Sequence, residues 1–368
     1  MSAVPKLFQP AIIGPLTLSH RTVLAPLSRR RANEAHIHGD LAVEYYAQRA
    51  DVPGTLLITE STEIAAQAGG SANTPGIWSE EQVSGWKRVT DAVHAKGSYI
   101  FCQLRAQGRV SDPAVLAKDA PGAPYVSASD VKLSARPIAP RPLTIPEIEE
   151  YMNLYATAAR NAMRAGFDGV EVHGANGYLI DQFLQDVTNK REDEYGGTIE
   201  RRCRFAMEVL NAVVRAVGTE ERVGMRLSPW ETFQGMRMAD PIPTYTHLVS
   251  SIRSAYPSFA YLHVVEPRVA GIFDREAAPG ESNDFIRAIW GENIISAGGY
   301  TRDLALEVAE KTENLIAFGR FFISNPDLPL RLKQNIPLTM YDRKTFYTQG
   351  PEGYIDYPFA DSFSSASD

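Results

Sequence analysis

Residues 169–178 read Gly-Val-Glu-Val-His-Gly-Ala-Asn-Gly-Tyr. The β-branched residues Val170 and Val172 give this stretch the look of a buried parallel strand. It ends in His173, and Asn176 and Tyr178 follow closely. Two neutral hydrogen-bond donors and a phenolic acid thus gather where one strand stops. In barrel enzymes the chemistry sits in the loops at the carboxyl ends of the strands. A donor pair can grip a carbonyl oxygen there, and a nearby tyrosine can deliver a proton.

Seven further runs of the same kind lie at 22–27, 55–60, 99–104, 223–228, 261–266, 294–299 and 315–320. Each is short, nearly continuously apolar, and closed by a polar residue or glycine, as expected of strands buried on both faces. Helical patterns alternate with them. Ser79 caps a helix running to about Lys96, with Gln82 as its capping-box partner. Another starts at Pro146, carries Ile148, Tyr151, Tyr155, Ala158 and Ala162 on one face, and ends at Gly166. The pattern at 199–217 is closed by Gly218, and later helices are expected at about 283–290, 301–311 and 327–334.

Eight β/α units predict an α/β fold, a single (β/α)8 TIM barrel. The N-terminal residues 5–20 suit a hairpin capping the barrel bottom. Long excursions follow the third strand, at 106–145, and the sixth, at 266–284. An aromatic segment at 341–359 is expected to pack over the barrel. The expectation is one domain spanning 1–368, with its core at about 7–359 and a disordered tail at 360–368.

The chain has 368 residues, 44% hydrophobic and 22% charged, with a net charge of −7. This is a globular balance without the basic stripe of a nucleic-acid or membrane binder. Two cysteines, Cys102 and Cys203, match no metal-site spacing and read as reduced core thiols. No apolar leader opens residues 1–10 and no run approaches a membrane span, so a cytoplasmic location is expected.

The strand ends share one rim. The first gives Pro26, Leu27 and Ser28; the second, Ser61; the third, Gln103; the fifth, Arg226. The seventh gives Gly298 and Gly299, and the eighth gives Gly319 and Arg320. Glycine-rich loops after the last two strands form a recurrent phosphate site in barrels, and an arginine adds a donor fork. Gln103 offers donor and acceptor to an imide edge, and Arg226 can stabilise charge that develops on a heterocycle. The set suits flavin mononucleotide. Taken singly, each residue has a plainer reading: a satisfied core histidine, a core amide, an ordinary turn glycine. Their convergence on one rim favours a site.

Several strings resemble the Old Yellow Enzyme family. They are Ala25-Pro26-Leu27-Ser28-Arg29, the 173–178 segment, Asn189-Lys190-Arg191-Glu192-Asp193-Glu194-Tyr195-Gly196-Gly197, Val265-Glu266-Pro267-Arg268 and Phe318-Gly319-Arg320-Phe321-Phe322-Ile323-Ser324-Asn325-Pro326-Asp327. The resemblance runs from about residue 7 to 359. It implies a non-covalently bound FMN, with NADPH as hydride donor. The activity implied is an ene-reductase acting on α,β-unsaturated aldehydes and ketones. His173 and Asn176 would hold the substrate carbonyl, and Tyr178 would protonate the α-carbon while hydride reaches the β-carbon. Ser28 would donate to the flavin, and the backbone at Pro26, Leu27 and Ser61 would contact it. Gln103 and Arg226 would bind its pyrimidine side, and Gly298, Gly299, Gly319 and Arg320 its phosphate. Phe346 and Tyr347 would wall the substrate side. A monomer or homodimer is implied. The alternative on the same scaffold is a flavin-assisted isomerase or reductase of a secondary-metabolite pathway.

Two departures concern the pocket. Arg105 stands where the family usually has an aromatic residue, and Ser71 where a tyrosine often follows paired glycines. Both predict a wider, more polar pocket. Arg105 has two readings: a grip on an anionic ligand group, or an ion pair with a nearby loop carboxylate. The second is favoured.

Overall fold

A computed structural model describes residues 4–361. The eight barrel strands are β1 (Thr22–Leu24), β2 (Leu56–Ile58), β3 (Tyr99–Arg105), β4 (Gly169–Gly174), β5 (Val223–Leu227), β6 (Tyr261–Val265), β7 (Ile294–Ala297) and β8 (Leu315–Phe318). Each pairs in parallel with the next, and β8 pairs with β1 to close the sheet. The outer ring is α1 (Asp40–Arg49), α2 (Glu80–Ala95), α3 (Ile145–Arg164), α4 (Ile199–Val217), α5 (Ile242–Ala255), α6 (Asp284–Trp290), α7 (Arg302–Thr312) and α8 (Leu328–Gln334). The fold is therefore the expected (β/α)8 barrel.

The predicted start and stop signals are present. Ser79 and Gln82 form the capping box of α2. Gly218 closes α4 at a φ of 89°, a conformation that costs glycine little. Thr144 opens α3 with a second capping box, through Glu147. Six of the eight strands, all but β3 and β4, end earlier than their apolar runs do. Ser28, Ser61, the 298–299 pair and Arg320 consequently lie beyond the ladder, free to shape a cleft.

Strand parity sorts the core. Ile100, Cys102, Val170, Val172, Met225, Leu262 and Val264 face outward into the layer shared with the helices. Leu56, Ile58, Phe101, Tyr261, Ile295 and Ala317 fill the barrel interior. Ala11–Ile13 pairs antiparallel with Leu16–Leu18, and Ala11, Ile13, Leu16 and Leu18 pack on that interior cluster, plugging the bottom. Alternation with period two then sends Gln103, Glu171, His173, Arg226 and His263 inward as well.

The excursion at 106–145 carries the short helix Pro113–Asp119 and two paired two-residue strands, Val126–Ser127 and Arg141–Pro142. The 266–284 excursion carries the ribbon Val269–Ala270 with Phe273–Asp274. The aromatic segment packs back on the barrel: Tyr354 is fully buried and stacks on Tyr45 at 4.2 Å. Of the expected tail at 360–368, residues 362–368 lie outside the described residues. Ala360 is not loose, because its N–H donates to Asp327 Oδ2 at 2.7 Å.

Candidate active site

A cleft of about 810 Å³ opens at the carboxyl ends of the strands. All the residues singled out above line it except Ser61, Gln103 and His173. Those three are buried among the same strand ends.

The turn after β4 presents two of the candidate side chains, Asn176 and Tyr178, to the cleft. Asn176 (φ 57°) and Gly177 (φ 79°) are consecutive left-handed residues, which reverse the chain tightly. The Asn176 N–H donates to Ser228 Oγ at 2.8 Å, and its carbonyl accepts from Gln234 Nε2 at 2.7 Å. The ring of Tyr178 lies 4.9 Å from that of His173. Burial, reinforced by Arg226 and Arg105, holds His173 well below the usual imidazole range. It is therefore neutral at physiological pH and carries one N–H.

Three buried polar atoms here have no partner within the protein: His173 Nδ1, Asn176 Oδ1 and Arg226 Nε. Unpaired buried polar atoms are costly and uncommon, so a cluster beside one cleft points to a ligand. Burial lowers the Arg226 guanidinium, while Glu171 and Glu231 pull it back up. The opposite end of the cleft is a backbone cradle. Gly298 and Gly299 sit at φ 128° and 61°. A Cβ on Gly319 would approach Leu27 to 3.0 Å, so glycine keeps this wall open. Arg320 begins the short helix Arg320–Ser324 rather than ending a strand. It donates to both carboxylate oxygens of Asp274, from the ribbon after β6, and to Tyr341 Oη at 3.1 Å. The unspent polar atoms, the glycine cradle and the fixed arginine fit a phosphorylated heterocycle such as FMN.

Arg105 meets a carboxylate. The two-residue strand Thr62–Glu63 extends the sheet beside Leu104 and Arg105. This brings Arg105 Nη2 to 3.4 Å from Glu63 Oε1. Gln107 and Thr74 also donate to that oxygen, at 2.6 and 3.0 Å. Ser71 Oγ accepts from Gln107 at 2.7 Å. The guanidinium lies over the Tyr178 ring, 4.8 Å from its centroid. Phe346 and Tyr347 close the far wall.

Several contributors went unread in the sequence: Glu171, His263, Glu231, Asp181 and Asp274. Two of them carried a signal. Glu171 is a charge inside an apolar strand, and His263 occupies the inward parity of β6. The others, in a loop, a short helix and the ribbon after β6, have no local mark. Cys102 and Cys203 are buried, and burial pushes both thiols up to about 12, which leaves them unreactive.

The profile of the NADH:flavin oxidoreductase / NADH oxidase family matches residues 6–339. The chain is 49% identical to a chanoclavine-I aldehyde reductase of Penicillium roqueforti, over 98% of each chain. It is 50% identical to an NADP-dependent oxidoreductase of Aspergillus flavus, over 97% of each. Among solved structures it superimposes on morphinone reductase with a TM-score of 0.90 at 39% identity, covering 98% of this chain and 97% of that one. With a closed barrel, an unsatisfied polar cluster over its mouth and whole-length similarity of this order, the chain belongs to the NADH:flavin oxidoreductase / NADH oxidase family, that of Old Yellow Enzyme.

Proposed function

We propose that this chain is an NADPH-dependent ene-reductase acting on α,β-unsaturated aldehydes or ketones. The observation that carries the reading is the arrangement of His173, Asn176 and Tyr178. Two neutral side chains hold unspent polar atoms beside one cleft, and a phenol lies within 5 Å of the imidazole, at 4.9 Å ring to ring.

FMN, when bound, supplies hydride transfer from NADPH to the alkene β-carbon. Gly298, Gly299, Gly319 and Arg320 would hold its phosphate. Gln103 and Arg226 would hold its polar ring edge, with Pro26, Leu27, Ser28 and Ser61 beside it. His173 and Asn176 grip the substrate carbonyl oxygen. As the β-carbon gains hydride, negative charge develops on that oxygen, and donors already in place stabilise it without reorganising. Tyr178 transfers its phenolic proton to the α-carbon, which completes net reduction. Phe346 and Tyr347 line this side of the cleft. The aldehyde reductase and the NADP-dependent oxidoreductase among the relatives support the substrate class and the choice of NADPH.

The test separates the half-reactions. Purified protein should be yellow, bleach anaerobically with NADPH, and regain colour with cyclohexenone. Tyr178→Phe should bleach at a near-normal rate yet return its colour about 10²-fold more slowly or worse. A protein that stays colourless after FMN is added, or a variant slowed equally in both steps, overturns the reading.

A further inference from the structure

A buried polar chain crosses the barrel interior beneath the cleft. Ser61 Oγ donates to Gln103 Oε1. Gln103 Nε2 donates to Glu171 Oε1 at 2.6 Å. Glu171 Oε2 accepts from His263 Nδ1 at 2.8 Å. Gln103, Glu171 and His263 are each 0% exposed.

Strand register builds this chain. Gln103 and Glu171 are direct neighbours across β3 and β4. On β5 the residue level with Glu171 is Gly224, which leaves room for the Tyr261 ring of β6 and puts no side chain of its own in the way of His263, two residues further along β6. Glu171 can therefore reach across to His263 on β6. Burying a carboxylate is expensive unless it is paired and bonded. Burial raises its pKa, but His263 and Arg226 outweigh that and hold it below the ordinary range. Nothing in barrel closure requires a charge at this level; the interior positions below it are apolar or aromatic.

A carboxylate only accepts hydrogen bonds, so the amide atom facing Glu171 must be the nitrogen. The Ser61 hydroxyl then meets the amide oxygen. One amide N–H and one oxygen lone pair remain unspent, in a fixed order. That is what an imide edge, with its alternating carbonyl and N–H, needs to meet.

We propose that Glu171, anchored by His263, is a positioning residue that locks the Gln103 amide in the one orientation able to read the imide edge of a bound flavin. It controls flavin affinity without touching the flavin. This rests on the reading of Gln103 as a flavin ligand. A glutamine at 171 has a single acceptor oxygen, which can serve Gln103 or His263 but not both.

The experiment is a double-mutant cycle on full-length protein stripped of flavin and titrated with FMN, read by quenching of flavin fluorescence. Glu171→Gln should weaken FMN binding at least tenfold in the parent and less than twofold in a Gln103→Ala background. An unchanged affinity in the parent, or the same loss in both backgrounds, overturns the proposal. Should Glu171→Gln not fold, Glu171→Asp keeps the charge but withdraws the oxygens by one methylene, and is judged by the same pair of factors. A parent chain that binds no FMN would instead overturn the flavin reading itself.

Discussion

Asp181 Oδ2 accepts the backbone N–H of Gly177 at 2.8 Å, tying the helix Leu179–Leu184 to the turn between Asn176 and Tyr178. Its other oxygen accepts from Tyr245 Oη and Gln185 Nε2, both at 2.9 Å. Asp181→Ala strands these buried donors and should cost about 3 kcal/mol of stability by denaturant unfolding. Alkene turnover should fall more than the rate of flavin reduction, because the loosened turn carries Asn176 and Tyr178, the proposed carbonyl donor and proton donor.

In the proposed mechanism His173→Ala and Asn176→Ala each remove one donor from the developing oxyanion. Each should raise the barrier by roughly 3 kcal/mol, about a hundredfold in turnover of an unsaturated ketone. Both should also weaken phenol binding and its long-wavelength absorption band. Undiminished phenol affinity in either variant would remove that residue from the grip.

Arg105 and Glu63 compensate each other's charge at 3.4 Å in a buried setting, with side chains 2% and 1% exposed. Arg105→Met leaves Glu63 buried without its cation, and breaking one partner of such a pair typically costs about 3–5 kcal/mol. Glu63→Gln in the same chain should recover much of that loss. Thermal unfolding of the two single variants and the double variant measures the coupling, and strict additivity would count against it.

His20 sits just before β1, its Nε2 3.0 Å from Thr55 Oγ1 and its Nδ1 accepting the Thr22 N–H at 3.2 Å. Burial, with Lys333 adding to it, pushes its pKa down to about 4. Between pH 6.5 and about 4 the unfolded chain binds a proton that the folded chain refuses. Stability contributed here is thus intact above 6.5 and lost as pH falls through that window, by about 3 kcal/mol. His20→Gln should flatten this part of the profile of melting temperature against pH.

Arg29 is buried beside the stacked rings of Tyr45 and Tyr354, 5.2 and 5.0 Å from their centroids. It donates to the carbonyls of Phe346 and Gly353 at 3.2 and 2.7 Å. A lysine offers one point donor and no planar fork, so Arg29→Lys cannot hold both carbonyls and stack. Amides at 345–355 should exchange faster with deuterium, and the substrate KM should rise as the Phe346–Tyr347 wall loosens.

What the chain carries locally could be read directly. Eight doubly buried strands announce themselves as short apolar runs, and Ser79 with Gln82 or Gly218 marks helix ends through bonds spanning a few residues. The proposed catalytic trio could be picked out because His173, Asn176 and Tyr178 lie at and just after the end of one strand. α1 and α5 were harder to see. An arginine, Arg49, lies on the buried face of α1, and α5 mixes β-branched and hydroxyl residues that blur the helical period. Strand parity could have aimed Glu171 and His263 inward. Only barrel closure decided that they meet, 92 residues apart, or that Glu63 takes Arg105 and Asp274 takes Arg320. The physical reason is one of range. Periodicity and capping depend on neighbours along the chain. The partner of a buried charge depends on which strands lie side by side and where the loops between them return.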